Sequence, residues 1–138
     1  MSMTENIIGD EDDLYLRIKS DWIVSGGKVD QEAFKPRPKE CGKKSVDWSG
    51  LSTPEATIAR DTSKFKKFNR CARLQAGAVR KKARLKVEHR PTKTNPAHSN
   101  YFNPVKLRRG IPGCDKLDSF ELLTEFQLDA LHSIARTI

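Results

Sequence analysis

Leu14-Tyr15-Leu16-Arg17-Ile18 sets Leu14, Leu16 and Ile18 at every second position, with Tyr15 and Arg17 between them. Successive side chains of a strand point to opposite faces, so this alternation predicts a half-buried β-strand, at which the folded domain begins. Downstream, Trp22-Ile23-Val24 runs into Ser25-Gly26-Gly27, a turn. Ser45-Val46-Asp47-Trp48 reads as a second short strand. In Thr53-Pro54-Glu55, Thr is a good N-cap, Pro is favoured at the first helical position and Glu suits the helix dipole, predicting a helix from Pro54 to about Arg60.

Phe65 to Gln75 sets Phe68, Ala72 and Leu74 against Asn69, Arg73 and Gln75, a weak strand alternation for which helix is the alternative. Ala76 to Arg84 reads as a short helix weakened by Gly77, and Leu85-Lys86-Val87-Glu88 as another strand. Phe34 to Lys44 is punctuated by Pro36, Pro38 and Gly42, and Pro91 to Pro104 by Asn95-Pro96 and Asn103-Pro104, so both read as loops. The clearest pattern is C-terminal. Asp118 with Glu121 three residues on resembles a capping box, and Phe120, Leu123, Phe126, Leu131 and Ile134 contribute to a broad apolar side, predicting a helix from Ser119 to Arg136.

Strands interleaved with short helices predict a small α+β domain. Its 138 residues suit one core. Residues 1–13 are expected to form a loose acidic leader, 14–113 the core domain and 114–138 the C-terminal helix. Cys41, Cys71 and Cys114 are widely spaced with no CxxC, which argues against a disulfide framework or a zinc ribbon and fits reduced thiols in a cytoplasm. No apolar run is long enough to span a membrane, and the acidic N-terminus is the reverse of a signal peptide.

Charge is the strongest functional signal. From Arg60 to Lys93 there are thirteen Lys and Arg against Asp61 and Glu88, a net +11 that exceeds the +8 of the whole chain. Such a stretch can neutralise phosphates and release counterions, so Arg17, Lys66, Lys67, Arg70, Arg73, Arg80, Lys81, Lys82, Arg84, Lys86 and Arg90 are candidates for contact with nucleic acid or an acidic protein. Phe65, Phe68, Tyr101 and Phe102 flank the window as candidate stacking rings. The bland alternative is that these charges solvate one face or pair with the acidic ends of the chain.

A second constellation is His89-Arg90-Pro91-Thr92-Lys93-Thr94-Asn95-Pro96-Ala97-His98-Ser99. Histidine shuttles protons near neutral pH, and Asn95 and Arg90 are suited to holding a carbonyl or phosphate oxygen, so His89, Asn95 and His98 are candidate catalytic residues. Ser45 and Asp47 are candidates to face them, Asp47 as a general base, and Arg17 can serve as an anion clamp by its planar fork. Against this, Asn95-Pro96 reads equally as a turn, His98 as a packed or capping residue and Asp47 as a strand end. His89 and His98 lack a third ligand nearby, and neither a metal nor a cofactor is expected.

Three stretches resemble a group of small bacterial proteins with no assigned activity. They are Leu14-Tyr15-Leu16-Arg17 with Trp22-Ile23 and Ala33-Phe34-Lys35; Ser45-Val46-Asp47 with Thr53-Pro54-Glu55; and Ala76-Gly77 with His89, Pro91 and Asn95-Pro96-Ala97-His98. The resemblance covers roughly Leu14 to Ser99 and implies a bacterial, cytoplasmic protein. The chain departs from that pattern at Leu16, where a basic residue is commoner, and in a longer C-terminal extension. Two functions follow from the residues: a basic accessory protein that binds nucleic acid or an acidic protein and offers its terminal helix to a partner, or a small enzyme acting on a nucleotide or other phosphate-bearing substrate.

Overall fold

In the computed structural model, which describes residues 7–36, 42–61, 67–104 and 123–138, the strands are β1 (Asp13–Ile18), β2 (Lys44–Trp48), β3 (Arg70–Gln75), β4 (Lys86–His89), β5 (His98–Phe102) and β6 (Arg136–Thr137). They form one antiparallel sheet in the order β4-β5-β2-β1-β3-β6. The helices are α1 (Pro54–Ala59), α2 (Ala76–Lys81) and α3 (Glu125–Ile134). The fold is a small α+β domain.

The period of two in Leu14 to Ile18 decides which way the sheet faces. Leu14, Leu16 and Ile18 point to one side, where Val46, Ala72, Leu74 and Tyr101 join them under α2, α3 and the 3-10 turn Gln31–Phe34. Leu14, Ile18, Leu74 and Leu131 are fully buried, each burial contributing on the order of 1.5–3 kcal/mol. Tyr101 carries its hydroxyl into this core and donates to the Phe34 carbonyl at 2.8 Å, so the ring is buried without stranding a polar atom. Tyr15 and Arg17 point to the opposite side. There the registers Tyr15↔Asp47, Arg17↔Cys71, Asp47↔His98 and Ser45↔Asn100 line up a polar second face.

α1 lies against β1 and β3 on that second face. Its start follows the expected chemistry, with Pro54 in the first turn and the Thr53 hydroxyl accepting from the Ala56 N–H at 3.1 Å.

Several expectations are corrected. The stretch Pro91 to Pro104 is not all loop: β5 occupies His98–Phe102 and is an interior strand of the sheet. Its run His-Ser-Asn-Tyr-Phe hides the alternation, because Ser99 is a polar residue on the core face, satisfied by donating to the Ala97 carbonyl at 3.0 Å, while Asn100 faces the second side. The described C-terminal helix spans Glu125–Ile134, with Thr124 and Gln127 forming its capping box, and the expected start at Ser119 lies outside the described residues. Asp118, Phe120 and Glu121 lie outside the described residues. The helix also stops at Ile134, because Ala135 is extended and Arg136–Thr137 pairs with β3.

The expected partner surface on that helix is likewise corrected. Leu123 and Leu131 are buried in the domain's own core, and Ile134 packs against it; Phe126 is exposed. The described part of the acidic leader is also not loose. Ile8 is buried, and the carbonyls of Asp12 and Asp10 accept from the N–H groups of Ala76 and Gly77, both at 2.8 Å. These are first-turn donors of α2 with no partner inside the helix, so the leader caps it.

Candidate functional site

On the second face of the sheet a small cleft is lined by Tyr15, Arg17, Ser45, Val46, Asp47, Thr57, Asn95 and His98. Its volume is about 30 Å³, room for the end of a ligand rather than its body. Four of the five predicted catalytic residues line it, together with Arg17. His89 does not. It sits opposite Ser99 on the core face, edge-on to Trp48 with ring centroids 5.0 Å apart, and its Nε2–H donates to the Pro96 carbonyl at 2.7 Å. His89 therefore braces the loop from inside the domain.

Asp47 is buried and saturated. Its Oδ2 accepts from the Thr57 hydroxyl at 2.8 Å and from Arg60 at 2.5 Å, and its Oδ1 from Asn95 Nδ2 at 2.8 Å. Thr57 and Arg60 are three residues apart on one side of α1 and its C-cap, so a single carboxylate on β2 ties down both the helix and the 90s loop. A base must have a lone pair facing substrate; this one faces three donors of its own chain. The expectation of Asp47 as general base is replaced by a positioning role. Asn95 is spent similarly, its Oδ1 accepting from the Ala97 N–H at 3.1 Å while Nδ2 serves Asp47.

His98 has the chemistry that remains. Its Nδ1 lies 2.8 Å from the Arg90 carbonyl oxygen, which can only accept, so Nδ1 carries the proton. With Nδ1 so occupied, the tautomer that can accept carries its lone pair at Nε2, which faces Ser45 Oγ at 3.3 Å. Ser45 and His98 are on adjacent strands, and the register pairs His98 with Asp47, two positions along β2 from Ser45. The contact is a diagonal cross-strand pair on one face.

Two further groups face the cleft. Among the described residues the Arg17 side chain forms no hydrogen bond or ion pair, which leaves its planar fork available. Tyr15, directly opposite Asp47, has its hydroxyl pushed above the ordinary phenol range by burial and by the Asp13 carboxylate, so it stays protonated as a donor. The roles of Thr57 and Arg60 as partners of Asp47 are not among the sequence expectations, although their spacing after a clear N-cap is a usable signal.

The lysines and arginines do not gather on one side. Arg17, Arg73 and Lys86 belong to the second face, while Arg80, Lys81, Lys82 and Arg84 belong to α2 and the residues after it, against the core side. Several are matched by carboxylates: Arg60 by Asp47, Arg80 and Lys81 by Asp10, and Arg90 by Glu88. Lys67 and Arg70 are exposed at the start of β3, beyond which Lys66 and Phe65 lie outside the described residues. Tyr101 and Phe102, considered as stacking rings, are both buried.

Among the described residues no three His, Cys, Asp or Glu side chains converge as metal ligands, and no helix is long and apolar enough to cross a membrane. Comparison with family models, curated proteins and solved structures finds no match to this chain.

Proposed function

We propose that the cleft on the second face is a catalytic site for a small phosphate-bearing molecule, such as a nucleotide, with Arg17 holding the phosphate and His98 moving the proton. The observation that carries this reading is the His98 ring, tautomer fixed by the Arg90 carbonyl, with its Nε2 lone pair turned to a hydroxyl beside an arginine. A guanidinium matches two phosphate oxygens at once, and the protonated Tyr15 hydroxyl adds a donor. The cleft is about 30 Å³, so a ligand would reach into it with one end only, its body lying over the mouth. Binding of a nucleic-acid backbone is supported less, because the basic side chains are divided between two sides of the sheet.

The test is calorimetric titration with inorganic phosphate and nucleoside monophosphates, followed by a hydrolysis screen over phosphate esters. Arg17→Ala should weaken binding about tenfold or more, the factor expected from losing a charge-assisted pair of roughly 1.5–3 kcal/mol. His98→Ala should keep binding and slow turnover by about 10²–10⁴. A wild-type chain that binds neither phosphate nor nucleotide would overturn the reading.

A further inference from the structure

We infer that Ser45 is the nucleophile of this site and that the reaction passes through a phosphoserine on β2; the inference rests on the phosphate-site reading above. Ser45 Oγ is the hydroxyl that the His98 lone pair faces, at 3.3 Å. Proximity alone does not make a serine reactive; it needs a neighbour that removes its proton, held by a third group. All three parts are present. His98 is that neighbour, and the Arg90 carbonyl keeps the ring in the one neutral tautomer that can accept from Ser45. The carbonyl is in turn held by the hairpin: Arg90 N–H donates to the His98 carbonyl at 2.9 Å, and Asn95 locks the loop onto Asp47.

Both reacting residues stand on interior strands rather than on loops, which holds their separation to the precision that a transfer step needs. A water attacking directly would have to displace Ser45 from the His98 lone pair. The serine already occupies it.

The steps balance without an added reactant other than water. Ser45 Oγ attacks phosphorus, its proton passes to His98 Nε2, and the bond from phosphorus to the leaving alcohol oxygen breaks as His98 returns that proton to the alcohol. Water then attacks the phosphoserine and gives a proton to Nε2; the Oγ–phosphorus bond breaks, and the proton returns to Ser45. The sum is phosphate monoester plus water to alcohol plus phosphate. A carbonyl in the third position orients the imidazole but brings no negative charge to the imidazolium, so the pair is a slower relay than one backed by a carboxylate.

The experiment uses the full chain and 4-nitrophenyl phosphate, with stopped-flow detection of nitrophenol, acid quench, intact mass and peptide mapping. The expected result is a burst of about one nitrophenol per chain and a phosphoryl group on the peptide holding Ser45, both absent in Ser45→Ala. Labelling of wild-type Ser45 by a fluorophosphonate, blocked by excess inorganic phosphate, gives the same answer without depending on how the variant folds. Turnover retained in Ser45→Ala, a phosphoryl group on any other residue, or phosphate binding without nitrophenol release would overturn the nucleophile and leave the phosphate site standing. A chain whose melting temperature is unmoved by inorganic phosphate would overturn both.

Discussion

Asp47 and His98 are cross-strand partners in the β2–β5 register, yet among the described residues they form no hydrogen bond with each other. Asp47 turns toward α1 and the 90s loop, while His98 reaches diagonally to Ser45. The carboxylate acts on the histidine at one remove. By holding Asn95 it fixes the loop whose Arg90 carbonyl sets the imidazole tautomer. Position and chemistry are thereby separated between two residues that face each other.

Removing Asp47 should therefore damage stability and site together. Asp47→Ala leaves Thr57, Arg60 and Asn95 without their shared acceptor, and breaking a buried charged network from one side costs about 3–5 kcal/mol. Asp47→Asn keeps an acceptor for Thr57 or Arg60 and should cost less than the alanine change. Urea denaturation of the three proteins checks the order, and equal midpoints for wild type and Asp47→Ala would remove the hub.

Gly77 tests whether the acidic leader belongs to the fold. In an isolated helix, Gly→Ala stabilises by about 1 kcal/mol. Here an added Cβ would lie 2.7 Å from the Asp10 carbonyl oxygen and 2.9 Å from its Cβ, backbone and near-backbone atoms that cannot swing away. Overpacking of this kind costs typically 1–3 kcal/mol, so it outweighs the propensity gain and Gly77→Ala should be destabilising. A rise in melting temperature would mean that residues 8–12 do not pack on α2.

These two sites also show what local sequence conveys and what it does not. The alternation in Leu14-Tyr15-Leu16-Arg17-Ile18 and the Thr53-Pro54 helix start are local signals, and β1 and α1 form where they point. β5 does not show in the sequence because β2 and β4 pair with its backbone whatever side chains it carries, and β2 is far away in sequence. The likeness of His89 and His98 dissolved for the same reason. In the β4–β5 hairpin His89 pairs with Ser99, so the adjacent His98 must face the other way. Register, not residue type, separated a loop brace from a candidate catalytic base. The company of Ser45, Arg17 and His98 likewise depends on β2 lying between β1 and β5, an order that composition does not encode.

The packing of α3 leads to a contrast between two of its apolar residues. Leu131 is fully buried, so Leu131→Ala should cost about 2–5 kcal/mol through lost burial and the cavity left behind. Phe126 is 58% exposed, and Phe126→Ala should change stability by no more than about 0.5 kcal/mol. Thermal denaturation of both variants checks this. A large loss for Phe126→Ala with none for Leu131→Ala would place the opposite side of the helix against the core.

Cys71 gives the pH dependence with a definite sign. The thiol lies on the second face opposite Arg17, fully buried, and burial together with the Asp47 and Glu55 carboxylates pushes its pKa up to about 12 from an ordinary 9.0. The fold thus holds the neutral thiol more firmly than the unfolded chain does. Its contribution to stability is complete below about pH 9 and is lost as pH rises toward 12, because over that interval the unfolded chain ionises first. At mildly alkaline pH the native thiolate fraction is too small to react. Iodoacetamide at a pH near the ordinary thiol value of 9.0 should leave Cys71 unmodified in the native protein and alkylate it in urea, as read by peptide mapping. Rapid native alkylation of the Cys71 peptide would show that this part of the second face is open to solvent rather than closed beneath its neighbours.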